Sequence, residues 1–137
     1  MLLNRRSALS LIACLSALGA VGPASAAAIV IPYSEQTLAE VVASGKPYLI
    51  DFFATWCSTC AAQDRVLEGL AAESTVYAAI PIIRVDWDEH SRGDLVREMG
   101  IPRRSTLVMM RGTTELGRLV ADTRRDAIAG LLDLAGR

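Results

Sequence analysis

Histidine occurs once in the 137 residues, at His90, and cysteine three times, at Cys14, Cys57 and Cys60. So thin a supply of soft donors excludes a structural zinc site, which usually takes four ligands from two cysteine pairs or from one pair plus histidines. His90 itself, in the polar run WDEHSRG, reads as a solvated loop residue. Positive charge is not in surplus: 14 Lys and Arg stand against 15 Asp and Glu, for a net charge of −1. Together with an aromatic content of 5%, that balance gives no hint of nucleic-acid binding. There is no internal repeat, no low-complexity run and no linker long enough to divide the chain. What is present in quantity is apolar, 52% against 21% charged, a balance that implies one compact globular domain and argues against disorder.

The N-terminal 26 residues read as a cleavable segment, followed by a domain over residues 27–137. MLLNRR carries two positive charges, SALSLIACLSALGAV is an apolar run of 15, and GPASA offers a small-residue cleavage site ending at Ala26. This is the pattern of a secretory signal peptide, and the run is short for a membrane span. Its loss removes Arg5 and Arg6 and no acid, taking the net charge from −1 to −3. The Arg pair in NRRSAL fits a twin-arginine leader only loosely, so an ordinary export signal is expected. LIAC at Leu11 to Cys14 resembles a lipidation box, but the apolar run continues past it, and lipid anchoring at Cys14 is disfavoured. If Cys14 leaves with the leader, Cys57 and Cys60 are the only thiols in an oxidising compartment, the periplasm, where disulfides persist.

The remaining segments punctuate themselves. Ser34 can cap a helix carrying Leu38, Val41 and Val42 on one face and ending at Gly45. YLIDFF reads as a strand buried on both faces, with Asp51 the exception inside it. After ATWCSTC comes a helix with Ala62, Val66, Leu67 and Leu70 on one side, then a second buried strand, PIIRVD. Strand, helix and strand form a right-handed crossover with parallel strands. SRGD, Ser91 to Asp94, reads as a capping box before a helix that stops at Gly100. TLVMM and ELGRLV read as an antiparallel hairpin, and Thr123 with Asp126 opens a last helix. The expected fold class is α/β, a central mixed sheet with helices on both faces.

Cys57 and Cys60 are compatible with a staple, half of a metal site, or a reactive pair. A bridge over four residues removes little chain entropy, about 2 kcal/mol against about 3 for a loop of fifteen. The metal reading runs short of ligands. The reactive reading uses position: a strand ending at Phe53 and a helix starting near Cys57 put that thiol among unpaired N–H groups that favour a thiolate. Cys57 is then the expected nucleophile, with Cys60, one turn on, the more buried resolving thiol. Asp51 in an apolar strand should have a raised pKa and could take the proton from Cys60; the alternative is a structural hydrogen bond or an ion pair with Arg84.

The run KPYLIDFFATWCSTC, followed by IIRVDWDE and STLVMMRGTTELGRLV, resembles the thioredoxin family from about Ser34 to the C-terminus. The resemblance implies a thioredoxin fold, with Cys57 and Cys60 as redox pair, Trp56 bordering the reactive sulfur, Asp51 as buried acid, and Arg84 where relatives often carry lysine. It implies thiol–disulfide exchange with other proteins and, for an exported member, with disulfides in the periplasm. Two positions depart from the family. Ser58-Thr59 stands between the cysteines where thioredoxin has Gly-Pro, which leaves the direction of electron flow open. In GIPRRSTLVMM, either Ser105 or Pro102 fills the slot of the family's cis-proline, and continuity of TLVMM favours Ser105, followed by Thr106. A serine there is expected to be trans. Ser105, Thr106 and Trp56 are thus the expected substrate-binding residues, and Arg103 and Arg104 either favour the thiolate or an acidic substrate or are solvated surface charges.

The expectation is a monomeric protein-disulfide oxidoreductase, acting more as reductant. It would need no metal or organic cofactor beyond the Cys57/Cys60 dithiol, and a redox partner to reset it. The alternatives are a non-catalytic binding or chaperone-like module on the same fold and, behind it, a metal-handling protein.

Overall fold

The computed structural model describes residues 25–137. Cys14 and all but the last two residues of the expected signal peptide lie outside the described residues. Five strands form one mixed sheet in the order β1-β3-β2-β4-β5. These are β1 (Val30–Pro32), β2 (Pro47–Phe53), β3 (Ile82–Asp86), β4 (Thr106–Arg111) and β5 (Thr114–Val120). β3 runs parallel to β1 and β2, and β4 runs antiparallel to β2 and β5. The helices are α1 (Glu35–Ala43), α2 (Ser58–Glu73), α3 (Thr75–Ala78), α4 (Trp87–His90), α5 (Asp94–Glu98) and α6 (Arg125–Asp133), followed by a 3-10 turn, Leu134–Gly136.

β2 is the central strand, and its alternation sorts the core into two halves. Tyr48, Ile50 and Phe52 point to one face, with Ile83, Val85, Val96, Val108 and the apolar side of α1. Leu49 points to the other, with Leu67 and Leu70 of α2 and Ile128, Leu131 and Leu132 of α6. Because both faces are covered, the strand reads as a continuous apolar run. The polar break in that run, Asp51, lies opposite Arg84 on β3 and Leu107 on β4.

The helix ends follow from local chemistry. Ser34 caps α1 as expected, its hydroxyl accepting the Thr37 N–H at 3.0 Å. Gly45, at φ +67°, follows the last turn in a left-handed conformation. At the end of α5, Gly100 stands at φ +60° while its N–H reaches the Arg97 carbonyl and that of Ile101 reaches Val96. This is the paired closure that a glycine after a helix permits.

Two local expectations are corrected. Ser91 does not cap α5: the helix starts at Asp94 behind Gly93, with no side-chain cap. The preceding residues are already in α4, whose cap is Asp86, accepting the Asp88 N–H at 2.9 Å. Thr123 does not open α6 either; Arg124 holds that position, and Asp122 folds over it, accepting the Arg124 N–H at 3.0 Å. The short edge strand β1 was not expected from its sequence.

Candidate functional site

β2 ends at Phe53 and a tight turn follows, closed by the Cys57 N–H bonding to the Ala54 carbonyl at 3.1 Å. Cys57 is the N-cap of α2, and its Sγ accepts the N–H of Cys60 at 3.1 Å, the bond a serine or aspartate would make at that position. The first turn of α2 carries no acid, so the positive end of the helix is left to act on the sulfur. Both cysteines are free thiols. Cys57 is 4% exposed and Cys60 1%, packed with Ala54 and flanked by Phe53 and Trp87.

Ser105 stands beside both sulfurs. Its Oγ is 3.1 Å from Cys57 Sγ and 3.1 Å from Cys60 Sγ. All peptide bonds among the described residues are trans, and Ser105 sits at φ +63°. Pro102 is exposed, upstream in the same loop. Thr106 is buried, but its hydroxyl turns away to bond the Arg103 carbonyl at 2.7 Å, closing the loop into β4.

The surroundings treat the two thiols differently. Burial alone pushes the Cys57 thiol up, but the Cys60 thiol and N–H, the Ser105 hydroxyl and the Arg104 guanidinium all favour its thiolate, and its pKa falls to about 7. For Cys60, burial and the adjacent Cys57 push the thiol above its ordinary value. Trp56 is 57% exposed beside the pair. Its Nε1 donates to both oxygens of Asp88 at 3.0 and 2.9 Å, and Arg104 lies over its ring at 4.4 Å.

Asp51 lies on the α2 side of the sheet, buried, with Arg84 Nε donating to its Oδ2 at 3.0 Å. Arg84 also bonds Asp64 of α2 and stacks 4.2 Å from the centre of the Phe53 ring. Burial outweighs the attraction of Arg84 and lifts the Asp51 pKa to about 6. The ion pair with Arg84, weighed above as the alternative to a chemical role, is therefore present.

Cys57, Cys60 and Ser105 thus meet at one point; Trp56 borders it, while Asp51 forms a separate charged cluster with Arg84 and Asp64. Sequence reasoning missed Gln63. It is buried on α2, and its Nε2 donates to the Ser105 carbonyl at 3.1 Å and the Asp122 carbonyl at 3.0 Å. Its spacing from Leu67, Leu70 and Ala71 places it on the buried stripe, a signal hidden by its polarity. No group of three or more His, Cys, Asp or Glu that could hold a metal occurs among the described residues.

A family model described as Thioredoxin matches residues 29–133. A thioredoxin of Chlamydia muridarum is 32% identical over 99 residues, covering 72% of this chain and 91% of its own length. A bifunctional thioredoxin reductase/thioredoxin of Mycobacterium leprae is 30% identical over 90 residues, 66% of this chain but only 19% of that protein. Among solved structures, Trxlp of Edwardsiella tarda superposes with a TM-score of 0.67 at 29% identity, covering 75% of this chain and 97% of that one. Thioredoxin of Malassezia sympodialis gives a TM-score of 0.66 at 23% identity, covering 81% and 95%, a likeness of fold.

The carboxyl of Asp51 yields a stability prediction. Its folded pKa, about 6, exceeds the ordinary 3.8, so the folded state binds this proton more tightly. The contribution is fully present below about pH 4 and is lost as pH rises through about 6, a change of about 3 kcal/mol. Asp51→Asn should flatten the fall in denaturant midpoint between pH 4 and 6 and leave the variant more stable than the parent at neutral pH. A parent whose stability rises over that interval would contradict the assignment.

Proposed function

The chain belongs to the thioredoxin family, and from that premise we propose that it works as a monomer in the periplasm, reducing disulfides of partner proteins through Cys57 and Cys60. As a family member it is a thiol–disulfide oxidoreductase. The observation that carries the role of the pair is the Cys57 sulfur at the N-cap of α2, taking the Cys60 N–H and the Ser105 hydroxyl within hydrogen-bond reach. That setting supports Cys57 as the group ionised near neutral pH and Cys60 as the thiol that follows it.

In the proposed cycle the Cys57 thiolate attacks one sulfur of a partner disulfide. A Cys57–partner disulfide forms, and the other partner sulfur leaves as a thiolate that takes a proton from water. Cys60 then gives up its proton and attacks Cys57 Sγ. The internal disulfide closes and the second partner thiolate leaves, so that two electrons have passed to the partner. Asp51 is proposed to accept the proton from Cys60, as a buried acid with a pKa near neutrality. Trp56, exposed beside the pair, is proposed as the surface against which the partner's chain lies, while Ser105 and Thr106, both buried, shape the site beneath it. The internal disulfide is reset by a dithiol reductant. The name of the Mycobacterium leprae relative, pairing a thioredoxin reductase with a thioredoxin, supports a reductive direction. The periplasmic location rests on the leader-like residues 1–26.

Two outcomes follow. With dithiothreitol as electron source, the parent should reduce insulin disulfides while Cys57→Ser falls to the uncatalysed background, and Cys60→Ser should accumulate a partner joined to Cys57; equal, negligible turnover in parent and Cys57→Ser would refute the enzymatic reading and favour a binding module. Expressed in a bacterium with its full leader, the protein should be recovered from the periplasmic fraction with the mass of a chain starting at Ala27. Recovery of the uncut chain from the cytosol would remove the location.

A further inference from the structure

Ser105 pays for its position. A left-handed backbone is disfavoured for a residue with a Cβ, and such a conformation persists only where the surroundings impose it. Here they do so from three directions. The Ser105 N–H bonds the Phe52 carbonyl of β2 at 2.8 Å, and the Ser105 carbonyl accepts the Ala121 N–H at 2.8 Å and the Gln63 amide at 3.1 Å. Gln63 commits its amide nitrogen to this loop and to Asp122, although its own Oε1 is buried without a partner. A proline could make neither the bond to Phe52, having no N–H, nor this φ. The side chain so held is buried, and its single polar atom is equidistant from two sulfurs.

We propose that Ser105 is a catalytic residue whose hydroxyl bridges the two thiols and decides which of them is ionised. A hydroxyl has one hydrogen to donate and lone pairs to accept with. In the dithiol state it donates to the Cys57 thiolate and accepts the Cys60 S–H, so Cys57 has released its proton to water while Cys60 keeps its own. Once Cys57 is bound to a partner sulfur it carries no charge, and the hydroxyl turns its hydrogen to Cys60. That favours the Cys60 thiolate, whose attack closes the internal disulfide and releases the partner thiolate. One rotor thereby serves both halves of the exchange. Burial and the adjacent Cys57 raise the Cys60 thiol, whereas the Ser105 hydroxyl favours the thiolate of either cysteine, as a donor able to turn to each sulfur in its turn would.

The inference rests on Cys57 and Cys60 being the exchanging pair, yet it is read without any partner protein, so its failure and the failure of the insulin assay are distinct. Ser105→Gly removes the hydroxyl while permitting φ +63° without strain; Ser105→Ala removes it and keeps the Cβ. Thermal melting should show both folded, with the glycine variant the more stable. The pH profile of Cys57 alkylation by iodoacetamide should move upward by about one unit in both, the size expected for a lost hydrogen bond to a charged group. At pH 7 that is about a fivefold slower reaction, from a midpoint of about 7. With Cys57 capped as a mixed disulfide with a small thiol, release of that thiol by Cys60 should also slow in both variants. A folded Ser105→Gly protein whose Cys57 profile matches the parent's would overturn the bridging role, and unchanged thiol release would overturn the second half.

Discussion

The site depends on a backbone held in the left-handed region at Ser105, beneath the start of α2. Three elements converge on that residue: β2 through Phe52, the segment after β5 through Ala121, and α2 through Gln63. Two of these elements, β2 and α2, are themselves part of the core. β2 is buried on both faces, and α2 is fixed by Leu67 and Leu70 against the sheet and α6. The strand ends at Phe53, the turn closes on Cys57, and the helix starts. The sulfurs and the hydroxyl are thereby brought within hydrogen-bond reach of one another by elements anchored elsewhere in the fold. Preorganisation of this kind lets a weak acid such as a thiol ionise without reorganising its surroundings at each turnover.

Two chemically identical thiols end in opposite states because their environments differ by a few hydrogen bonds. Cys57 faces N–H and O–H donors and the cationic Arg104; Cys60 sits deeper, with Cys57 as its neighbour. Beyond them, on the same face of the sheet, Asp51 shares Arg84 with Asp64. A buried carboxylate leans toward its protonated form unless a partner holds it charged, and the partner here is divided between two acids. The resulting pKa of about 6 leaves Asp51 able to change state close to the pH range where Cys57 does. Trp56, next to Cys57 in the chain, is held at its polar edge by Asp88 and across its face by Arg104.

Much of the architecture was legible in the order of segments, because a strand buried on both faces and amphipathic helices leave distinct periodicities. The continuity of TLVMM into β4 pointed to Ser105 over Pro102, and the structure puts Ser105 at the sulfurs. The misses have local causes. β1 has only three residues and a largely exposed face, too short for a pattern. The WDEH turn has no apolar stripe, and its cap, Asp86, reads in the sequence as the end of a strand. Ser91 and Thr123 fit capping patterns, but Asp86 and Asp122 had already shaped the backbone ahead of them. Gln63 was invisible as a site residue because its partners are backbone carbonyls more than 40 residues away in sequence, a relation no local pattern carries. The positive φ of Ser105 was hidden for the same reason: it is imposed by tertiary bonds and goes against the residue's own preference.

The central claim is that Cys57 and Cys60 act as one two-electron carrier. Equilibration of the protein in dithiothreitol or glutathione redox buffers, with the state of each cysteine read by mass after alkylation, tests it most directly. The account predicts a single transition between a dithiol and a Cys57–Cys60 disulfide, with the slope of a two-electron couple, about 30 mV per tenfold change. Its midpoint should lie nearer the roughly −270 mV of a reducing thioredoxin than the roughly −120 mV of a strong oxidant. Cysteines that fail to pair, or that titrate one at a time as separate mixed disulfides, would contradict it.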